Sequence, residues 1–501
     1  MVRGYKQKTI GQKIKLMTGS FLIASSLLCA GQMSTVAYAA DGTSFVYEGY
    51  IYDDYGNTLE SPAAFSYERL IDSSNLEGMS FQSVDDVCTS EDGRIFLTDK
   101  LSGRVNVFNE DGELLKSIKT IWNKEGTIQL DANGNQVTLQ APEGCYVHDK
   151  TGEIYIADPG GEQVVVLDLE DYSYIRVITR PDNMTGTTQF KPSKVAVDDA
   201  NRIFLVVQSS YEGIIELASD GTFIGYYGVN NPKVNLVEYF WKSIATDEQK
   251  KQMSKTFAPA FNNIAVDGDG FVMAVTYDSA ATDMIFRLNA KGSNVIREEG
   301  NTKLIGDLGE DQSAFVDIAV TDYGIYAVLD KTKGRVFIYD FDGELLNAFG
   351  SLGNLKGQLQ TPTGIAWLGD KLIVTDSTLK CAYILTPSEF GQAIINGSRE
   401  YYFGNWDEAL TYFEQAVRLN SNYEVAYTGI GKNYLMKNEY ESALYYFKQG
   451  NNRTYYSKAY YGYRGQQMKK HFGIIATVFV ALIVLLFYSE IRYNRKNRRK
   501  A

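Results

Sequence analysis

Apolar and polar residues alternate over short stretches through the middle of this 501-residue chain, and turns interrupt the alternation repeatedly. A period of two predicts half-buried β-strands, and the Asp-Gly and Thr-Gly pairs between stretches favour tight hairpins. Six segments share the order of apolar strand, turn and second β-rich strand, and a third strand follows each of them. They are 86–99, 144–158, 194–207, 263–276, 317–330 and 364–376.

Two stretches of the chain are nearly identical. Residues 99–115 (DKLSGRVNVFNEDGELL) and 330–346 (DKTKGRVFIYDFDGELL) agree at ten of seventeen positions. They occupy the same place in the first and fifth repeats, so they indicate a repeated structural unit rather than a duplicated site. The recurring Asp and Arg of each stretch (Asp99 with Arg104, Asp330 with Arg335) are expected to form ion pairs that fix a loop.

The starts of successive segments lie 47 to 69 residues apart. A repeat of about this length with four short strands is typical of a β-propeller blade, which buries its faces against two neighbouring blades. Over residues 80–387 the repeats resemble the NHL-repeat family, whose blades read approximately P-x-G-V-A-V-D…G-x-I-Y-V-A-D…R-I-x-V-F…G. The resemblance implies a mainly β fold, a six-bladed NHL-type propeller, and leaves function open because propellers host both binding and catalysis. The direct matches are Pro142, Gly144, Asp158, Pro192, Pro259, Pro362, Gly364 and Asp376.

We expect the propeller domain to occupy residues 41–387 and an N-terminal strand to close its ring. The sixth repeat ends at Thr386 without a fourth strand, whereas residues 44–54 (SFVYEGYIYDD) have the pattern of a strand that belongs to no repeat. If residues 44–54 completed the sixth blade, they would join the ends of the ring and remove an exposed edge.

The interval between the third and fourth repeats is the longest and contains residues 234–255, which are helical in composition and carry a capping-box pattern. We expect two short helices inserted on one face of the propeller. The aromatic residues of this insertion form either a lid or docking element or a loop packed onto the rim. These residues are Tyr239, Phe240 and Trp241.

Residues 393–470 have helical periodicity and repeat after 34 residues. Gly397, Ala409, Phe413 and Ala416 recur as Gly431, Ala443, Phe447 and Gly450. A 34-residue helix–turn–helix period with small residues at crowded positions resembles the tetratricopeptide (TPR) repeat. The resemblance implies two repeats and one further helix, and it implies docking of a protein or peptide. The alternative is that the Tyr-rich faces serve only as core.

Both ends of the chain carry membrane-related signals. Residues 1–40 contain a basic segment, the apolar run Phe21–Ala30 and the small-x-small pattern Ala37–Ala39, an order that predicts a cleavable signal peptide. The alternative for this segment is an uncleaved anchor. Residues 472–488 lack charge over a length that can span a bilayer, and the basic tail 489–501 follows. Because positive charge stays inside, we expect a single-pass cell-membrane protein with a cytoplasmic tail and an extracytoplasmic bulk, of bacterial origin.

The charge of the expected ectodomain excludes nucleic acid as a partner. Residues 41–468 contain 36 Lys and Arg against 60 Asp and Glu, so phosphate backbones would be repelled. Three cysteines remain there, Cys88, Cys145 and Cys381, without the spacing of a zinc or redox motif. At most one disulfide is possible, and the alternative is three small buried hydrophobic residues.

Candidate chemistry lies where the first strands of the blades begin. Asp85, Glu143 and Asn262 supply oxygen atoms of the kind that calcium prefers, at the positions that hold the metal in six-bladed lactonases. The order of residues around the ring departs from the lactonase pattern, so no cofactor is expected. The next position in each repeat predicts a polar central channel formed by Asp86, Lys194, Asn263 and Asp317. No catalytic constellation of Ser, His and Asp or of Cys and His can be built.

The sequence therefore favours a membrane-anchored extracytoplasmic scaffold over an enzyme. The two resemblances imply that it binds a protein or peptide through its propeller and TPR surfaces. They also suggest an accessory role beside a membrane transport complex. The alternative is a calcium-dependent lactonase or esterase that uses the central channel.

Overall fold

The computed structural model describes residues 45–53, 55–131, 134–185, 189–210, 212–228, 260–277, 283–297, 304–307 and 312–498. The expected signal peptide (1–40) and the helical insertion at 234–255, with Tyr239, Phe240 and Trp241, lie outside the described residues. The strands and helices named below belong to one compact unit of the chain.

Strands of the described part form six antiparallel sheets. Blade one contains β4 (Val84–Thr89), β5 (Ile95–Asp99), β6 (Arg104–Phe108) and β7 (Leu114–Ile118); blade two contains β8 (Gly144–His148), β9 (Glu153–Asp158), β10 (Gln163–Asp168) and β11 (Tyr174–Ile178). Blade three contains β12 (Pro192–Val197), β13 (Ile203–Val207), β14 (Ile214–Leu217) and β15 (Phe223–Tyr227). The described strands of blade four are β16 (Asn263–Val266), β17 (Val272–Val275) and β18 (Ile285–Leu288). Blade five contains β19 (Phe315–Val320), β20 (Tyr326–Asp330), β21 (Arg335–Tyr339) and β22 (Leu345–Phe349); blade six contains β23 (Pro362–Leu368), β24 (Lys371–Asp376) and β25 (Cys381–Pro387).

The six sheets are arranged as a ring. The first strand of each blade contacts the first strand of the next, and β23 of blade six contacts β4 of blade one. A separate cluster of buried apolar side chains lies between each pair of neighbouring blades. The apolar side chains of each blade thus pack against both neighbouring blades. The predicted six-bladed β-propeller is confirmed.

The ring is closed by an N-terminal strand, but the prediction that residues 44–54 complete blade six is wrong. Strand β3 (Phe65–Ile71) pairs with β25 and supplies the fourth strand of that blade. Strand β1 (Glu48–Tyr52) instead pairs with β22 of blade five, and β2 (Thr58–Pro62) pairs with β1.

Aromatic contacts on blade five explain why β1 lies there. The hydroxyl groups of Tyr50 and Tyr52 donate hydrogen bonds to Asp307 Oδ1 at 2.5 and 2.9 Å. Arg335 of blade five pairs with the same carboxylate at 3.1 Å and packs over the Tyr50 ring. The tyrosines of β1 therefore match a polar cluster at the edge of blade five.

A buried aspartate ends the second strand in four blades. Each carboxylate accepts hydrogen bonds from backbone amides of the segment that leads into the first strand of its own blade; for Asp99 these are the amides of Gln82 and Ser83, at 2.9 and 3.0 Å. The aspartate thus fixes the entrance to the blade, and within the described residues none of the four forms an ion pair. The four residues are Asp99, Asp158, Asp330 and Asp376, all fully buried.

This arrangement corrects the expected Asp–Arg ion pairs. Asp99 binds backbone amides, and Arg104 directs its guanidinium to the sulfur of Met79. Asp330 likewise binds backbone amides, and Arg335 pairs with Asp307. The paired residues face each other in the strand ladder. Each carboxylate nevertheless accepts charge-assisted hydrogen bonds from backbone amides, which are strong and fixed in place.

Five helices follow the propeller: α1 (Glu389–Phe403), α2 (Trp406–Leu419), α3 (Glu424–Met436), α4 (Tyr440–Gln449) and α5 (Arg453–Arg498). Each packs on the next. The 34-residue spacing corresponds to a glycine–phenylalanine contact that occurs twice. A Cβ atom on Gly397 would lie 2.9 Å from the Phe413 ring, and one on Gly431 would lie 2.6 Å from the Phe447 ring. Glycine is needed at both positions for the helices to approach.

The junction between propeller and helices lies at Ala63 and Ala64. Asn347 of blade five accepts the amide hydrogen of Ala64 at 2.9 Å. Ser388 donates its hydroxyl to the Ala63 carbonyl at 2.7 Å, donates its amide to the Ala64 carbonyl at 2.8 Å, and caps α1 by accepting from Gly391 N. One short backbone segment therefore joins blade five, blade six and α1.

A buried lysine also ties the helices to blade five. Lys432 of α3 places Nζ 3.1 Å from Asp342, and both side chains are 6% exposed. Burial raises the pKa of the neighbouring Asp340 to about 6, although Lys432 opposes that shift. The Asp-Gly turn in residues 330–346 thus contacts α3 through Asp342. The corresponding turn of blade one, around Glu110 and Asp111, is exposed.

Helix α5 is one continuous helix of 46 residues. Its first turns pack on α4 through the buried Tyr455 and Ala459. It contains the predicted span 472–488, and its most apolar window has a mean hydropathy of 2.6 with no part of it buried. By length and composition, α5 can cross a membrane.

We expect Gly391→Ala to destabilise the protein and Gly465→Ala to leave it unchanged or slightly more stable. A Cβ atom on Gly391 would lie 1.9 Å from the Ala64 carbonyl oxygen, whereas Gly465 has no atom within 4 Å of that position. Both glycines are helical, so the gain in helix propensity, up to about 1 kcal/mol, is shared and only the clash differs. Thermal unfolding of the full chain in detergent measures the difference. Equal melting temperatures for the two variants would contradict this view of the junction.

Candidate functional site: the central cavity

The first strands of the six blades bring six residues to the axis of the ring, one from each blade. Two of them are glycines that allow close approach, because a Cβ atom on Gly144 would lie 2.4 Å from Ser193 O and one on Gly364 would lie 3.1 Å from the Asp86 Cα. The other four are the residues predicted to form a polar channel, and all four are buried. They are Asp86, Lys194, Asn263 and Asp317.

The structure brings the four polar side chains into two linked groups. Lys194 Nζ lies 2.7 Å from Asp86 Oδ1, and Asp86 Oδ2 accepts from Cys145 N at 3.0 Å. Asp317 accepts from Asn263 Nδ2 and from the amides of Ile318 and Ile365, at 2.7 and 2.6 Å for the amides. The carboxylates therefore bridge neighbouring blades as well as lining the axis.

The electrostatics of this cluster are unbalanced. Burial raises the pKa of Asp86 and of Asp317, and the Lys194 ammonium opposes both shifts. Burial alone would lower the pKa of Lys194, but the carboxylates of Asp86 and Asp317 outweigh it and the pKa is raised. One cation thus faces two buried carboxylates, and part of the negative charge is uncompensated.

A cavity of about 680 Å³ extends from this cluster to the face that carries the turns between first and second strands. Its walls are apolar side chains of the first strands, including Val87, Ile264 and Ile318, and Trp367 lies near its mouth. The volume lies in the range of small-molecule and side-chain binding pockets.

Charged residues around the cavity are predominantly acidic. The two basic residues, Lys194 and Lys371, each have a carboxylate partner, which for Lys371 is Glu68 at 2.8 Å. A cavity lined by one sign of charge within low-dielectric walls concentrates its field at the mouth. The acidic lining residues are Asp86, Glu91, Glu110, Asp149, Asp317, Asp322 and Asp370.

Helix α1 borders one side of the mouth. Arg399 lies 3.8 Å from Asp370 of the rim and 5.9 Å from the Tyr323 ring centroid. The Phe403 ring packs against the same tyrosine, with 6.4 Å between centroids. A ligand at this mouth would therefore meet both the propeller and the helices. The rim residues were missed in the sequence because they follow the repeating motif and differ between blades.

The three calcium candidates lie before the first strands and already have partners. Lys100 places its ammonium 3.3 Å from Glu143 and donates its amide to Asp85 at 3.3 Å. Asn262 accepts from the Tyr277 amide at 3.0 Å. Burial raises the pKa of Asp85 to about 6, so this carboxyl is protonated more readily than usual. In the described part of the chain, no group of three or more His, Cys, Asp or Glu side chains has the arrangement of a metal site.

Solved structures with a similar fold include virginiamycin B lyase from Staphylococcus aureus, which is 13% identical with a TM-score of 0.40 and is covered over 99% of its length by 64% of this chain. A protein of unknown function from Bacteroides thetaiotaomicron is 11% identical with a TM-score of 0.42, covering 68% of this chain and 91% of that one. Hydrazine synthase from Kuenenia stuttgartiensis is 10% identical with a TM-score of 0.38, covering 61% and 96%. Similarity at this level concerns the fold alone. No protein-family model and no curated protein matches the sequence.

We expect Lys194→Met to destabilise the protein more at about pH 8 than at about pH 5. The variant leaves two buried carboxylates without their cation, a loss of roughly 3–5 kcal/mol when both are ionised. Because burial raises their pKa, the folded state binds protons that the unfolded chain releases, so stability is retained at low pH and lost as the pH rises through the raised pKa. Chemical denaturation at both pH values measures this.

The matched control is Lys150→Met, which removes an exposed ion pair with Asp199. Exposed pairs contribute about 0–1 kcal/mol, so we expect a small effect at both pH values. A loss for Lys194→Met that does not depend on pH would contradict the assigned charge imbalance.

We expect millimolar calcium to leave the melting temperature of the full chain unchanged. The Lys100 ammonium occupies the position at which a cation would balance Glu143, and Glu143 also accepts from Gln208 at 2.5 Å. Differential scanning fluorimetry with and without chelator measures the shift, with Glu143→Gln as the control variant. A calcium-dependent rise that disappears in Glu143→Gln would establish a metal site.

Proposed function

We propose that this protein is a membrane-anchored scaffold that binds a basic segment of a partner protein or peptide at the mouth of the central cavity. The observation that carries the proposal is the cavity of about 680 Å³, which opens beside α1 and is surrounded by acidic side chains. The hydrolase alternative would need a metal site, and no described contact of Asp85, Glu143 or Asn262 favours one.

The charge of the mouth supports a basic partner. Glu91, Asp322 and Asp370 come from the turns of three different blades, and all three are exposed. Charge complementarity of this kind increases the association rate and selects partners more than it adds affinity. The apolar wall below the rim, with Trp367 and Ile365, would bury the aliphatic part of a Lys or Arg side chain.

We also propose that the helices are a TPR array and that the blades are of the NHL type. The repeated glycine–phenylalanine contacts between α1 and α2 and between α3 and α4 support the first assignment. The recurring aspartate at the end of the second strand supports the second. Both architectures usually bind partners, which agrees with a mouth shared by propeller and helix.

The proposed location rests on α5 and on the charges around it. We propose that α5 crosses the cell membrane, with the propeller and helices α1 to α4 outside and the basic tail in the cytoplasm. A partner would then lie near the membrane surface. The family resemblances add the suggestion of a transport complex as that partner.

A photoreactive residue placed at Tyr323 tests the proposal in intact membranes. We expect it to form a discrete adduct that the same residue at Leu115, on the outer edge of blade one and 50% exposed, does not form. The adduct should weaken as ionic strength rises, because exposed charges are screened. It should also be lost in the double variant Asp149→Lys and Asp322→Lys.

The matched charge variant is Glu60→Lys, which changes an exposed acid in β2 that does not line the cavity. We expect it to leave the adduct unchanged. Identical adducts from Tyr323 and Leu115, or adducts insensitive to the double variant, would overturn the assigned binding surface.

A further inference from the structure

Two cysteines face each other across the interface between blades one and two. Cys88 lies in β4 and Cys145 in β8, and both belong to the apolar cluster between these blades. The amide of Cys145 donates to Asp86 Oδ2 at 3.0 Å, which holds the start of β8 against β4 two residues from Cys88. Each thiol is near enough to the other for a hydrogen bond between them to affect the pKa of both, and the two side chains pack in the same cluster.

Both thiols also border the central cavity. Cys381, by contrast, lies in blade six, where it packs on Tyr383, and it does not line the cavity. Of the three cysteines in the described residues, only Cys88 and Cys145 are therefore placed to react with each other.

We propose that Cys88 and Cys145 form a disulfide that links blades one and two when the chain folds in an oxidising compartment. The proposal rests on the extracytoplasmic location proposed above, because disulfides persist in such compartments. The bond would close a loop that contains most of blade one and would restrict the unfolded chain.

The reaction is thiol–disulfide exchange with a disulfide-bearing oxidant, either a thiol oxidoreductase or a small-molecule disulfide. One cysteine thiolate attacks the oxidant, forms a mixed disulfide and releases one thiolate. The second cysteine thiolate then attacks the mixed disulfide, forms the Cys88–Cys145 bond and releases the second thiolate. The two protons lost by the cysteines are taken up by the two released thiolates, so the cysteines are oxidised and the oxidant is reduced.

The reaction should occur during folding rather than afterwards. Burial raises the pKa of both thiols, and the thiolate is the reactive form. Once the blades have packed, both cysteines are less than a tenth exposed. The completed bond would be protected from reduction for the same reason.

The test uses the full chain isolated from the membranes of the cells that make it. Free thiols are alkylated under denaturing conditions without reductant, and the digested peptides are identified by mass spectrometry. We expect the peptides of Cys88 and Cys145 to be joined and Cys381 to be alkylated. Cys145→Ser should leave Cys88 alkylated, and Cys381→Ser should leave the joined peptides unchanged. After unfolding and refolding in reductant, the wild type should melt several degrees lower than the untreated protein, and Cys145→Ser should hardly change.

A parallel sample is refolded with oxidised glutathione. If Cys88 and Cys145 are alkylated in both samples, the disulfide is wrong and the proposed binding function is unaffected. If they join only on refolding, the proposal is overturned as stated, and the extracytoplasmic location is contradicted with it. A bond from either cysteine to Cys381 would also overturn the proposal.

Discussion

The hydrogen bonds around Ala63 and Ala64 join blade five, blade six and helix α1, and the rest of the structure depends on this junction. Asn347 anchors the segment to blade five, and Ser388 binds it from the point where blade six ends and α1 begins. A continuous buried cluster extends from blades five and six into α1, α2 and α3. The contacts that close the ring and those that dock the helices therefore belong to one buried cluster, and they fix the position of α1 beside the cavity mouth.

Buried ion pairs lie at the propeller axis and between the helices and blade five. Lys194 on the axis and Lys432 under the helices each lie among several carboxylates and are almost fully buried. Such clusters contribute little net stability compared with apolar packing, but removing one partner is costly, so they specify which surfaces meet. Lys432 pairs with the Asp-Gly turn of blade five, whereas the nearly identical turn of blade one, around Glu110 and Asp111, is exposed.

The sequence predicts the ring well because every blade packs against two neighbours in the same way. The apolar pattern and the axis position therefore recur in each repeat, and the polar residues at that position are Asp86, Lys194, Asn263 and Asp317. It predicts poorly whatever depends on one particular neighbour. The closing strand β3 has a polar middle, and its partner β25 is distant in the sequence. The sequence of β1 has the pattern of a blade strand, and only the contacts of its tyrosines with Asp307 and Arg335 explain its place on blade five. Tyr323, Trp367 and Arg399 shape the cavity mouth, and none of the three is a residue that the repeats have in common.

The position of β3 has a consequence for the order of folding. Ala64 and Ser388 are 324 residues apart, so β3 is synthesised long before its partner β25 exists. Contacts of such high sequence separation are slow to form, because a long loop must close before any pairing stabilises it. Before that pairing, β3 is a strand without a partner whose end residues, Phe65 and Ile71, are buried in the folded protein. Blade six then has an open edge to which any extended chain can add. The interval between the synthesis of β3 and its pairing with β25 is thus a period in which this protein is exposed to mispairing with a second copy of itself.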